Sequence, residues 1–222
     1  MSPFHPPEVW KVSPNSPDRE TIGRAASCVK RGGIVVYPTE TFYGLGGDPF
    51  QEAVVHRIFS AKGRDSAKPL PLIAADMESV LKAVAHWPRS ADRMAKGLWP
   101  GPLTLLVAAA PEIPAAVHAS TGKVALRISS HPVARNLAAA AGGLLLSTSA
   151  NVSGEPPANA VEHLSLVLLS VVDGVLDAGP IEPCAGGLPS TIVDVTGRNP
   201  RLAREGCVPW KAIEAHFLSQ HH

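Results

Sequence analysis

Short apolar runs, each closed by glycine, proline or a hydroxyl cluster, alternate with helix-length stretches along most of the chain. The first such run, IVVYPT at Ile34–Thr39, follows Gly32-Gly33, is β-branched and is broken by Pro38. It is too short for a helix and reads as a buried strand. This alternation rules out an all-helical bundle and a pure β-sandwich. Because it does not follow strict βαβ order, it predicts an α/β (α+β) chain built on a twisted mixed sheet flanked by helices.

The predicted helices cover Asp18–Lys30, the region from Asp48-Pro49 to Ala61, Asp76–His86, Pro88–Gly97, Pro132–Ala141, a weaker Val161–Leu169, and Trp210–Leu218. Ser16 followed by Pro17 fits an N-cap with proline at the first helical position. The predicted strands are Ile34–Thr39, Leu70–Ala74, Leu103–Ala108, Val124–Ile128, Leu144–Thr148, Gly174–Asp177, Ser190–Val195 and Leu202–Arg204. Residues 1–16 are proline-rich and read as an extended arm, leaving 17–222 as one domain. His221 and His222 are set aside.

Apolar residues make up 45% of the 222 and charged residues 18%, enough for a core and too apolar for a disordered chain. The net charge is +1, so nucleic-acid binding would need a local patch rather than a global field. No apolar run approaches the roughly 20 residues that cross a bilayer, and the N-terminus lacks the pattern of a signal peptide. Three cysteines, Cys28, Cys184 and Cys207, lie far apart and outside any CxxC pair, so no disulfide framework is expected. A cytoplasmic protein is the expectation. The scattered histidines form no metal-ligand motif, and no protein-bound metal is expected.

Four stretches stand where ligand chemistry belongs, at the ends of predicted elements. YPTETFYGLGGDP (Tyr37–Pro49) runs from a strand into hydroxyls and three glycines that let backbone approach a ligand. It matches neither a P-loop nor GxGxxG, and an ordinary turn would use the same residues. KGRDSAKPL (Lys62–Leu70) concentrates cations after a helix. They would favour the helix dipole, or would neutralise a polyphosphate. LLLSTSANVSG (Leu144–Gly154) ends an apolar strand in hydroxyls and an amide. Without a GxSxG elbow or a placed histidine it offers hydrogen bonds rather than a nucleophile. GLPSTIVDVTGRNPRLAREG (Gly187–Gly206) reads as a hairpin that returns Arg204 beside Thr191–Val193.

Taken together, YPTETFYGLG, KGRDSAKPL, VALRIS, STSANVSG, PSTIVD and LAREG occur in the order and approximate spacing of the YrdC-like proteins. The chain resembles that family from Gly33 to Gly206. The resemblance implies a single YrdC-like domain with a concave basic cavity, and threonylcarbamoyl-AMP synthase activity. Members join L-threonine, bicarbonate and ATP, with Mg2+ carried on the nucleotide, into threonylcarbamoyl-AMP and pyrophosphate. A downstream transferase complex then modifies adenosine 37 of tRNA.

By that resemblance Lys62 and Arg64 would be catalytic. Lys62, Arg64, Lys68, Lys123, Ser149, Asn151 and Arg204 would face ATP. Thr41, Arg127, Ser147 and Ser190 would hold threonine, with Arg127 on its carboxylate. Longer relatives carry a histidine where this chain has Ile73, and append a second domain that closes the site; this chain is expected to manage without it. The alternatives are a sister group without synthase activity and a non-catalytic module with weak RNA binding on the same surface. Aromatics at 5% argue against a base-stacking platform.

Overall fold

The computed structural model describes residues 6–184 and 186–219. Its strands are β1 (Glu8–Lys11), β2 (Val35–Tyr37), β3 (Gly44–Gly46), β4 (Leu72–Ala74), β5 (Leu103–Ala108), β6 (Lys123–Arg127), β7 (Leu144–Leu146), β8 (Thr148–Ser149), β9 (Gly174–Asp177), β10 (Thr191–Asp194) and β11 (Arg201–Arg204). The helices are α1 (Arg19–Lys30), α2 (Glu52–Lys62), α3 (Met77–Ala83), α4 (Arg89–Leu98), α5 (Pro132–Ala141), α6 (Leu166–Leu169) and α7 (Trp210–Ser219).

The strands form two mixed sheets where one was expected, ordered β1-β9-β2-β3-β8 and β11-β10-β5-β6-β4-β7. The split falls within the predicted strand Leu144–Thr148. Its first part, β7, pairs antiparallel with β4 in one sheet, and β8 pairs antiparallel with β3 in the other. Residues 8–11 of the expected arm form β1, an edge strand parallel to β9.

Burial alternates with the period of two that strands impose. Ile34, Val36, Leu72, Ala74, Leu144 and Leu146 join the main core with α2, α3 and α4. Val35, Tyr37, Ile73 and Leu145 point the other way, into a second core covered by α1 and α5. These strands are buried on both faces, which explains why they read as continuous apolar runs.

Local chemistry sets the helix ends. Asp18, not Ser16, caps α1: its Oδ1 accepts from the Thr21 amide at 2.8 Å. Asp76 caps α3 in the same way through Ser79, 2.8 Å away. At the end of α2, Gly63 adopts φ 55°, a left-handed conformation that glycine takes without penalty. That turn sends the chain directly from Lys62 into the cationic loop.

The cysteine expectation is corrected: Cys184 and Cys207 are bridged, with Cα atoms 5.9 Å apart, and Cys28 is free and buried. The β10–β11 hairpin brings the two together, and the Cys207 amide donates to the Pro189 carbonyl at 2.8 Å. Sequence separation alone carries no trace of that return.

Candidate active site

All four stretches meet around one cavity. Its floor is the face of β5, β6 and β10 turned away from the main core, contributed by Leu106, Ala125 and Ile192, extended by Ala203 of β11. Leu105, Leu126 and Val193 in the same strands point into the core instead. The walls are the β2–β3 turn (Thr39–Gly44), the loop after α2 (Arg64, Pro69, Pro71), the β7–β8 junction (Ser147–Ser149), and Pro189, Ser190 and Arg204. The cavity measures about 340 Å³ and shares Arg64 and Ser149 with an adjoining hollow of about 390 Å³. That hollow is lined by Lys62, Arg64, Asp65, Lys68, Asn151 and Ser153 among others. A larger groove of about 730 Å³ beside β1 and α1 holds none of the four stretches. Arg24–Glu8 and Arg57–Asp173 pair with each other there.

The glycine-rich turn works differently from the expectation. A Cβ on Gly46 would lie 1.9 Å from the Leu146 carbonyl oxygen, and one on Gly47 would lie 2.5 Å from Val54. These glycines let backbone approach the protein itself, joining β3 to β7 and α2, while Gly44 borders the cavity. Thr39 organises the turn. Its buried hydroxyl donates to the Phe42 carbonyl at 2.7 Å, accepts from the Thr41 amide at 3.2 Å, and lies 3.0 Å from the Thr41 hydroxyl. Thr41 is thereby held at the cavity wall.

Lys62 is 2% exposed and its ammonium reaches across to the serine-rich loop. It donates to the carbonyls of Ser149 and Asn151, each at 2.5 Å, and to Asn151 Oδ1 at 3.3 Å. Burial, and then the neighbouring Arg64, pull its pKa down to about 8. The Ser149 hydroxyl donates to Asn151 Oδ1 at 2.5 Å, so lysine, serine and asparagine form one bonded unit.

Arg64 has structural partners that its sequence context did not suggest. Nη2 donates to the Pro69 carbonyl at 3.1 Å and Nε to that of Lys68 at 3.5 Å. Burial lowers its pKa from the usual guanidinium value. Lys68 is exposed at the rim of the hollow. Arg204 opposes Ile192 across the hairpin, where the sequence reading put it, and donates from Nη2 to the Ser190 carbonyl at 2.8 Å. It keeps a solvent-facing edge. Partial burial, then the charges of Arg127 and Arg64, lower its pKa.

On the opposite wall, Arg127 is buried and its Nε donates to Glu40 Oε1 at 3.0 Å. Its terminal amino groups have no protein partner among the described residues. Ser190 lies 2.8 Å from Thr104, hydroxyl to hydroxyl. Ser147 is buried at the cavity wall.

Lys123 lines neither space; it is ion-paired with Asp194 at 2.8 Å. Ile73 lines neither space: it neighbours Arg127 across β4–β6 and packs in the second core. The residues that sequence reasoning left without a role are Glu40, Thr39 and Thr104. Glu40 stood between two threonines, and nothing local tied it to an arginine 87 positions away.

Chemically, one half of the cavity holds a forked cation ready for a carboxylate. The other gathers Lys62, Arg64, Lys68 and Arg204, with Asp65 as the lone carboxylate in either lining among the described residues. Such a pair of subsites suits an amino acid beside a polyphosphate.

Comparison with known proteins identifies the family. The chain is 38% identical over 186 residues to a threonylcarbamoyl-AMP synthase of Stenotrophomonas maltophilia, covering 81% of this chain and 96% of the relative. The crystal structure of Pyrococcus abyssi Sua5 complexed with L-threonine superposes with a TM-score of 0.86 at 32% identity, over 94% of this chain and 60% of that longer one. E. coli YciO superposes with a TM-score of 0.84 at 25% identity, over 93% of this chain and 99% of the other. The family model Sua5/YciO/YrdC, described as "Telomere recombination", matches residues 27–206, a span that contains every cavity-lining residue named above. The chain therefore belongs to the Sua5/YciO/YrdC family.

Proposed function

We infer that the chain is a threonylcarbamoyl-AMP synthase. One observation carries the assignment from relatives to this chain: a guanidinium with a free fork, on Arg127, shares a cavity with the cations Arg64 and Arg204, which are held by backbone carbonyls and, for Arg204, the Ser190 hydroxyl, with no carboxylate partner among the described residues. The proposed substrates are L-threonine, bicarbonate and ATP. The carboxylate of threonine sits on Arg127, with Thr41, Ser147 and Ser190 offering hydroxyls to its polar groups. The triphosphate lies toward Arg64, Lys68 and Arg204, with Ser149 and Asn151 on the nucleotide. Lys62 acts chiefly by bracing the Ser149–Asn151 loop.

In the reaction, threonine nitrogen joins the bicarbonate carbon to give a carbamate with loss of water. A carbamate oxygen then bonds the α-phosphorus, and the bond to the β-phosphate oxygen breaks to release pyrophosphate. Attacker and target are both anionic, so fixed cations that screen them and stabilise the leaving group are the main device required. Holding the reactants in one cavity contributes much of the rest. No protein nucleophile is needed. Among the described residues no cluster of His, Cys, Asp or Glu forms a metal site, and Asp65 alone is a poor ligand set. The residues fit a magnesium ion that arrives on ATP and screens its phosphate charge. The product is a labile mixed anhydride suited to a downstream transferase acting on tRNA.

A pyrophosphate-release assay with one component omitted at a time tests the reading. Release is expected only with ATP, L-threonine and bicarbonate together, without orthophosphate. Release without threonine contradicts it in favour of a plain ATPase. No release, with salt-sensitive RNA binding, favours a binding module.

A further inference from the structure

Glu40 is the acid that the cavity's chemistry has not yet used. It lies in the β2–β3 turn with its side chain 11% exposed, against an Arg127 side chain 7% exposed. One carboxylate oxygen accepts from Arg127 Nε at 3.0 Å, and the other accepts from the Ser129 hydroxyl. Ser129 Oγ in turn accepts from the His131 amide at 3.1 Å, and His131 caps α5 by accepting from the Val133 amide at 3.3 Å. The carboxylate is thus fixed from β6 and from the loop that leads into α5. Arg127 is gripped by its Nε edge, which leaves the terminal amino groups facing the cavity.

The charge consequence is as specific as the geometry. Arg127 is close enough to Arg204 to lower its proton affinity, as Arg64 does, so the two halves of the cavity sense each other. Without Glu40 the cavity would hold a continuous belt of cations from Arg127 to Lys68. A polyphosphate would then have no reason to prefer one end. With Glu40 the Arg127 end is locally neutral and suits a zwitterion, while the other end keeps its positive charge. Removing one partner of a buried pair also leaves an uncompensated charge, which any available anion would neutralise.

We propose that Glu40 is a positioning and specificity residue: it aims the fork of Arg127 at the amino-acid carboxylate and keeps phosphate groups out of the amino-acid half. This rests on the synthase reading above. The test uses Glu40→Gln, which is isosteric, still accepts from Arg127 Nε and still bonds Ser129, but lacks the charge. Calorimetric titration measures L-threonine binding with and without inorganic pyrophosphate. In the wild type, threonine binds and pyrophosphate does not compete with it. In Glu40→Gln the fork is still aimed, so threonine affinity does not fall, and pyrophosphate becomes competitive with threonine because the Arg127 charge is no longer cancelled. A purely structural role would lower affinity without creating that competition. Should Glu40→Gln fail to fold, Glu40→Asp carries the test, since it retains the charge but retracts the acceptor: weaker threonine binding with pyrophosphate still excluded supports the proposal. No pyrophosphate competition in a folded Glu40→Gln, threonine affinity equal to wild type in Glu40→Asp, or competition already present in the wild type overturns it. A wild type that binds no threonine overturns the functional reading itself.

Discussion

The two halves of the cavity hold their cations by different means. Arg127 is paired with a carboxylate that is itself mostly buried and doubly bonded. Lys62, Arg64 and Arg204 are held by backbone carbonyls, from Ser149, Asn151, Lys68, Pro69 and Ser190. A carbonyl fixes a cation without cancelling its charge; a carboxylate fixes it and cancels it. The first arrangement leaves charge available to stabilise a leaving pyrophosphate, whereas the second leaves geometry available to recognise a carboxylate. Among the described residues the one acid lining the nucleotide half is Asp65, and its Oδ1 accepts from the Ala67 amide at 2.9 Å.

The largest effect should follow loss of a carbonyl-held cation. Arg64→Ala is expected to cut pyrophosphate turnover by about 3–4 kcal/mol in activation free energy, with a melting temperature within a few degrees of wild type. Near-normal turnover of a folded variant would break the contrast at its strongest point.

Lys62 probes the same half through pH. Its folded pKa of about 8 lies below the ordinary 10.5, so between these values the unfolded chain binds a proton that the folded chain does not. Stability must therefore rise with pH across that window, by at most about 3 kcal/mol. Below pH 8 the penalty of the buried charge is fully present. Denaturant unfolding of wild type against Lys62→Met should show the difference between them changing between pH 8 and 10.5. A flat difference would mean that Lys62 stays charged throughout.

On the other half, Arg127→Lys keeps the charge but loses the fork. The KM for threonine should rise by about 2 kcal/mol, roughly thirtyfold, with the KM for ATP changed far less. Equal rises in both would erase the division into halves. Smaller still, serine should compete with threonine at a disadvantage of about 1–2 kcal/mol, one methyl group in a small pocket. Valine should compete worse than serine, because the wall near it is made of Thr41, Ser147 and Ser190 hydroxyls. If valine competes as well as serine, the polar side of the pocket is misplaced.

What could be read from the sequence followed from local physics. β5, α5 and β9 keep their expected bounds because each is a single apolar run with an unambiguous punctuation residue: Pro102 before β5, Pro132 and Gly142 around α5, Gly174 opening β9. The four motif stretches do converge. What could not be read is the product of long-range return. Strand β3 looked like a glycine loop, since it is a strand only by virtue of β2 and β8 on either side. The Leu144–Thr148 run hid a switch between sheets at Ser147. The Glu40–Arg127 and Cys184–Cys207 pairs join segments that no local pattern links. The family resemblance implies a nucleotide-facing Lys123; in the structure it is ion-paired with Asp194, a contact no local pattern announces.

The division into halves is tested most directly by a crystal structure with L-threonine and a non-hydrolysable ATP analogue bound together. The threonine carboxylate should accept from both terminal amino groups of Arg127, while the phosphates contact Arg64 and Arg204 and none reaches Arg127. A phosphate seated on Arg127, or a threonine carboxylate on Arg64, would contradict the account.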